Sequence, residues 1–339
     1  MTSVAVVILN YNGEKLLERF LPLVIQHSPE AEIVVADNGS TDKSRTLLRT
    51  QFPEITLLEL GQNYGFCGGY NRALAQVDAR YYVLLNSDVE VTAGWLAPLK
   101  ALLDTRPEVA AVQPKILSLH ARDYFEYAGA GGGLIDTLGY PFCRGRMFDW
   151  VERDEGQYDD ARPVFWTSGA CMMIRAETFH AMGGFDEHFF AHMEEIDLCW
   201  KINRSGKLLY YTGRSHVYHL GAGTLAYQHP RKTYLNFRNG LTMLAKHLDT
   251  GEMLYKLPLR IILDWLASAV FLLKGDVRNA GSVFRAHADV LRHIGKIAAE
   301  RKRIRMRYPE YSRANIYKGL IVFDYYLRGG KRQVANNPR

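Results

Sequence analysis

The chain has 339 residues, 47% apolar and 23% charged, which excludes disordered and collagen-like classes and allows a large buried core. Aromatics make up 12%, and the formal net charge is +6. The positive excess gathers late: Arg292, Lys296, Arg301, Lys302, Arg303, Arg305 and Arg307 have only Glu300 among them as an acid. A solvated helix face fits such a cluster, and so does a surface for anionic lipid headgroups, where each Lys or Arg contributes about 1 kcal/mol. No nucleic-acid motif accompanies the charge, so nucleic acid is not expected as a partner. Cys67, Cys143, Cys171 and Cys199 form no Cys-x-x-Cys pair, which argues against a zinc knuckle or disulfide framework and for a reducing compartment.

In chain order, residues 4–9 read as a first strand and not as a signal peptide, because no basic segment precedes them. Further short β-branched runs at 32–36, 56–60 and 81–85 alternate with helical spacing at 14–27, 41–50 and 69–77. This alternation predicts an α/β fold with a mostly parallel sheet between helices, whose ligands bind outside the carboxyl ends of the strands. Polar tips follow three of the runs, Asn10-Tyr11-Asn12, Asp37-Asn38-Gly39-Ser40 and Asn86-Ser87-Asp88, and outline a nucleotide site. Residues 111–165 are expected as long loops around its mouth. A helix is expected to open at Glu194-Glu195-Ile196-Asp197, and from residue 234 the chain reads as helical throughout. Within that region, residues 257–273 are apolar but interrupted by Arg260 and Asp264. A spanning helix wants about 20 mostly uncharged residues, so this one is expected to be buried or interfacial.

The first turn, Asn10-Tyr11-Asn12-Gly13, lacks the G-x-G-x-x-G triplet, and Gly65-Phe66-Cys67-Gly68-Gly69 lacks a P-loop ending. Asp37, just past a strand, can accept the N3 proton of uracil or thymine, or can simply make a turn. Asp88, at another strand end, can hold a hard cation or cap a helix. Glu194, Glu195 and Asp197 follow a glycine-hinged aromatic loop, Gly183–Phe190 in sequence; one of them within reach of a hydroxyl would serve as general base. His219 offers an imidazole to an ion of the Mn²⁺ type, with His216 the less favoured neighbour; either can equally be a packed residue.

Taken in order, VAVVILNYNG from residue 4, IVVADNGSTDKS from 33, NYGFCGGYNRAL from 63, YVLLNSDV from 82 and the segment 168–211 resemble glycosyltransferase family 2, in its rhamnosyltransferase-like branch. His219 with Gly221 and Thr224 resembles that family's downstream histidine element. The resemblance covers residues 4 to about 224. It implies a GT-A (Rossmann-like) catalytic domain over residues 1–230 and a helical C-terminal region over 231–339. It also implies an inverting transfer of a sugar, such as rhamnose, from a dTDP- or UDP-sugar to a glycan or lipid-linked saccharide for cell-surface polysaccharide.

Residue by residue, it assigns base recognition to Asp37, with Asn10 and Tyr11 lining the pocket. Asn63, Gly65 and Asn71 fall in the segment closing over the donor. Asn86-Ser87-Asp88 stands where the family has D-x-D, so a divalent cation, Mg²⁺ or Mn²⁺, would rest on Asp88 and His219. Glu194-Glu195 matches the family's acid doublet, with Glu195 as the expected base and the choice between the two open. Asp197 is expected to support the helix start, and Trp166, Thr167 and Ser168 to approach sugar or acceptor. The protein is expected in the cytoplasm, peripheral on the inner face of the membrane. Two other classes also fit the polar tips: a nucleotidyltransferase, which should carry a basic glycine-rich loop after its first strand, and a non-catalytic nucleotide-sugar-binding scaffold, which would not need Glu195.

Overall fold

The computed structural model describes residues 2–221, 229–309 and 315–326; Thr224 lies outside them. The chain begins with β1 (Thr2–Asn10), α1 (Glu14–His27), β2 (Glu32–Asp37), α2 (Ser44–Gln51), β3 (Thr56–Glu59), α3 (Gly65–Leu74), β4 (Ala79–Leu85), β5 (Val89–Val91) and α4 (Leu96–Thr105). β4, β1, β2 and β3 are parallel neighbours in that order. Helices on both faces explain why β1 and β4 are continuous apolar runs: residues 4–7 and 83–85 are fully buried. α1 turns Leu17, Phe20, Leu21 and Val24 inward at helical spacing. α3 starts four residues before its sequence period suggests, because its glycines carry no apolar signal. Gly69 packs so closely on Leu9 that a Cβ would stand 2.8 Å from its side chain.

The segment expected as long loops instead contains a buried strand, β6 (Val109–Ser118), and five short strands: β7 (Gly133–Asp136), β8 (Pro141–Cys143), β9 (Arg146–Met147), β10 (Trp150–Val151) and β11 (Ala161–Val164). Buried polar residues hide β6 in the sequence. Gln113 Oε1 accepts from the Ser168 amide at 2.9 Å, and Lys115 Nζ donates to Asp154 Oδ2 at 2.7 Å. Then come β12 (Cys171–Arg175), α5 (Ala176–Ala181), a 3₁₀ turn at Glu187–Phe189, α6 (Glu194–Arg204) and β13 (Leu208–His219). The main sheet runs β11-β13-β6-β12-β4-β1-β2-β3, with β5 also on β13. β12 is antiparallel to both its neighbours, so this half of the sheet is mixed while the half made by β4, β1, β2 and β3 is parallel.

The C-terminal region is α7 (Pro230–His247), α8 (Thr250–Leu273), α9 (Val277–Arg292), α10 (Ile294–Arg307), β14 (Ile316–Tyr317) and α11 (Ile321–Tyr326). It is not helical throughout: β14 joins β7 in a second sheet, β10-β9-β8-β7-β14. α7 is fastened to α6 through Asp197, which is fully buried. Lys246 Nζ donates to its Oδ2 at 2.8 Å, and His247 Nε2 lies 2.9 Å from Oδ1. Burial alone would raise the Asp197 carboxyl, but Lys246 and His247 outweigh it and hold it far below the usual range.

Candidate active site

At the tips of β1 and β2, Asn10 Nδ2 donates to Asp37 Oδ2 at 3.2 Å and to Ser40 Oγ at 3.1 Å, and Asp37 Oδ1 accepts the Ser40 amide at 3.0 Å. The other amide oxygen, Asn10 Oδ1, is buried without a hydrogen-bond partner. Gly13 is required beside it: a Cβ there would lie 2.4 Å from that oxygen and 3.8 Å from Ser87 Oγ. Asn10, Asp37 and Ser87 therefore share one pocket, next to a Tyr11 ring that is 46% exposed. Asn63 Oδ1 accepts from Gly65 N at 2.8 Å and from Asn38 Nδ2 at 3.2 Å, which fixes the start of α3 against the β2 tip. Asn71 faces elsewhere. Its amide donates to Phe185 O and accepts from Phe185 N, both at 2.9 Å, and so holds the glycine-hinged loop.

Asp88 follows β4, and Leu220 N donates to its carbonyl at 3.0 Å, so the end of β13 lies against it. His219 Nε2 is 3.2 Å from Asp88 Oδ1, and His219 Nδ1 is 3.3 Å from Glu126 Oε2. Burial alone would lower this imidazole, yet the two carboxylates outweigh it and raise it to about 10. Glu126 has no counterpart among the residues singled out from the sequence, because it lies in an irregular stretch with no strand or helix pattern. A signal exists at Gly221, whose φ is +74° and where a Cβ would stand 2.5 Å from Glu126 Oε1.

Once the imidazole loses the proton facing Asp88, Asp88 and His219 would fit a divalent cation. Neighbouring ligands around an ion with bonds of about 2.1 Å sit roughly 3 Å apart, close to the Asp88–His219 separation. A carboxylate on the far nitrogen of a metal-binding histidine is the usual way its ring is oriented.

Glu194 and Glu195 open α6. Glu194 is buried and Glu195 half-buried; the Oε2 of each is itself buried and has no hydrogen-bond partner. Burial, with the adjacent Glu195 added, pushes Glu194 well above the ordinary carboxylate range, and burial raises Glu195 to about 7. Glu195 adjoins Gly169, where a Cβ would lie 3.7 Å from its own Cβ. The next residue, Ala170, accepts the Asn86 amide at 3.0 Å. Through this contact the start of α6 lies near the Asn86-Ser87-Asp88 tip.

The loop before Glu195 is strained: Phe190, His192 and Met193 all have left-handed backbones, with φ of 64°, 69° and 71°. α7 restrains it. Asn239 Nδ2 donates to the carbonyls of Phe189, Ala191 and His192 at 3.1, 2.9 and 2.7 Å, and Arg238 Nη2 donates to His188 O and Phe189 O. Neither residue stands out in the sequence, since both read as ordinary polar positions of a helix. Among the described residues, His188, Asp289 and His293 form a group of three with ligand spacing where this loop meets α9, but the Arg238 guanidinium already stands 3.8 Å from Asp289.

Of the residues expected near sugar or acceptor, Trp166 and Thr167 point into the core. Trp166 Nε1 donates to Leu134 O at 2.8 Å, and Thr167 Oγ1 lies 2.9 Å from Met172 Sδ. Ser168 N is held by Gln113, and its Oγ accepts the Ala170 amide at 3.2 Å. Asp197 faces α7, as described.

The sequence profile of Glycosyl transferase family 2 matches residues 5–179. The chain belongs to that family. The N-acetylglucosaminyl-diphospho-decaprenol L-rhamnosyltransferase of Mycobacterium tuberculosis is 31% identical over 239 residues, covering 65% of this chain and 76% of that protein. In structure, residues 1–349 of S. aureus TarS superpose with a TM-score of 0.57 at 15% identity, over 98% of this chain and 89% of TarS. The mannosyltransferase PcManGT of Pyrobaculum calidifontis, solved with GDP-Man and Mn²⁺, superposes with a TM-score of 0.52 at 17% identity, over 90% and 86%. These likenesses make the fold GT-A and the protein a rhamnosyltransferase-like glycosyltransferase.

Proposed function

We propose that this family 2 enzyme transfers rhamnose from dTDP-rhamnose, with a UDP-sugar as the alternative donor, to a hydroxyl of a lipid-linked saccharide, with inversion at the anomeric carbon. The name of the M. tuberculosis relative supports the sugar and the acceptor class. The observation that carries the chemistry is the placement of Glu195 beside Gly169, one residue from the Ala170 carbonyl that receives the Asn86 amide. That proximity supports a role for the Glu195 carboxylate opposite Asp88 and His219.

In this reading Glu195 Oε2 accepts the proton of the acceptor hydroxyl, whose oxygen forms the new bond to the anomeric carbon as the bond to the diphosphate breaks on the opposite face. An acid held near neutrality is suited to that proton transfer at physiological pH. Asp88 and His219, steadied by Glu126, would hold a divalent cation. When bound, the cation neutralises charge on the departing diphosphate. The imidazole in the donor set favours Mn²⁺ over Mg²⁺, which prefers oxygen ligands. Asp37 and the unpartnered Asn10 Oδ1 offer acceptors to the N3 proton of thymine or uracil. Asn239 and Arg238 are positioning residues that keep Glu195 at the cleft by restraining the loop before it.

The test is nuclear magnetic resonance of the product formed from dTDP-β-L-rhamnose and a soluble lipid-linked acceptor analogue. An α-linked product supports the single displacement; a β-linked product overturns it.

A further inference from the structure

The polarity of α8 is inverted. Its buried residues are Glu252, Lys256, Arg260, Asp264 and Ser268, all polar and spaced four apart along one face. Lys256 Nζ donates to Glu252 at 2.8 Å, and Arg260 Nε donates to Asp264 at 2.9 Å. Arg260 also reaches Leu138 O on the second sheet, and His287 of α9 lies 3.1 Å from Asp264. The opposite face carries no polar side-chain group besides the Tyr255 hydroxyl and the Trp265 indole N–H: every exposed residue from 254 to 273 is apolar or aromatic, among them Leu254, Leu259, Ile262, Leu266, Val270 and Leu273. A helix on a water-soluble surface does the reverse. Its apolar face, from Leu254 to Leu273, is a stripe of about 30 Å at 1.5 Å per residue.

The surroundings indicate what covers it. Across residues 250–309 every exposed charged residue is Lys or Arg, while Glu252, Asp264, Asp276, Asp289 and Glu300 are buried or half-buried. On α9, Val277, Phe284 and Leu291 each precede an exposed arginine, Arg278, Arg285 and Arg292, and the seven-residue spacing puts these pairs on one side of the helix. The Trp265–His287 hydrogen bond of 3.2 Å joins the outer edges of α8 and α9. Apolar side chains flanked by cations, with Trp and Tyr on the same face, match the boundary between acyl chains and anionic headgroups. No helix among the described residues is long and apolar enough to cross a membrane. A second copy of the chain fits less well, because a two-fold contact would bring two cationic rims together.

We propose that α8 lies in the plane of an anionic bilayer with its outer face in the acyl boundary, and that α9 and α10 contact the headgroups. This goes beyond the transfer reaction and does not depend on it. Flotation of the full chain with phosphatidylcholine vesicles, with and without phosphatidylglycerol, tests it at low and high salt. Binding to the anionic vesicles is expected, with a blue shift in tryptophan emission that Trp265→Phe removes. Neutralising Arg278, Arg285 and Arg292 together should weaken binding roughly a hundredfold, about fivefold per charge. Leu259→Asp with Leu266→Asp should abolish it. Both variants should keep nucleotide release with a soluble acceptor, which shows that they fold and separates failure here from failure of the glycosyltransferase reading. Two results overturn the proposal: vesicle binding unchanged in the Leu259→Asp, Leu266→Asp variant, or a wild-type chain that ignores anionic vesicles, including one that forms a dimer broken by Leu266→Asp.

Discussion

Asp88 Oδ1 and His219 Nε2 stand 3.2 Å apart at the tip of the main sheet, and Glu126 holds the other face of the imidazole. Removing the negative charge of Glu126 while keeping its shape should leave the ring poorly oriented and less basic. Glu126→Gln is therefore expected to raise the Mn²⁺ concentration for half-maximal transfer by about 10- to 100-fold, with much of the rate recovered at saturating metal. A metal titration of nucleotide release checks this. An unchanged midpoint would remove Glu126 from the site.

The acid pair at the start of α6 ties activity to pH. A general base works ionised, so transfer should rise as pH climbs through about 7. Neighbouring acids titrate as a unit, so the apparent value belongs to Glu194 and Glu195 together. Stability should move the other way. The folded value of Glu195 lies above its ordinary 4.5, so its contribution is fully present below 4.5 and is lost as pH rises through about 7. Glu195→Gln should melt above the wild type in alkaline solution and level with it in acid. Calorimetry across pH checks the sign.

Asn239 restrains a loop with three left-handed residues, Phe190, His192 and Met193, and its proposed role is purely positional. Asn239→Ala should leave buried carbonyls unpaired at a cost of about 1–3 kcal/mol. It should also lower kcat with little change in the donor KM, because the nucleotide pocket is built from other strands. A kinetic split of that kind distinguishes loss of loop geometry from general destabilisation.

The Lys246–Asp197 pair is buried on both sides. Lys246→Met would leave Asp197 with only His247 and, at 4.0 Å, Lys201 as partners, and is expected to cost up to about 3–5 kcal/mol. Adding Asp197→Asn should recover part of that loss, so a double-mutant cycle in urea should give a clearly non-additive result. Additive losses would mean that the two groups do not depend on each other.

The parallel half of the sheet and its polar tips were legible in the sequence because buried strands and strand-end acids leave local signals. Residues 4–9 and 14–27 illustrate this, as does the helix opening at Glu194. What stayed hidden depends on distant contacts. β6 carries Gln113 and Lys115, which look exposed until Ser168 and Asp154 are seen to pair with them. Glu126 gains meaning only when β13 brings His219 alongside, and Asn239 only when α7 reaches the Phe190 loop. α8 was readable as apolar with charges inside it. That those charges face inward follows only from their pairing with one another, with His287 of α9 and with Leu138 between β7 and β8.

The most direct test of the central claim is release of nucleoside diphosphate from dTDP-rhamnose with Mn²⁺, with and without a lipid-linked saccharide acceptor, by wild type and Glu195→Gln side by side. The expected result is acceptor- and metal-dependent release by the wild type, slowed by about 10²- to 10⁴-fold in the variant, while both bind the donor alike. Wild-type rates in Glu195→Gln would contradict it.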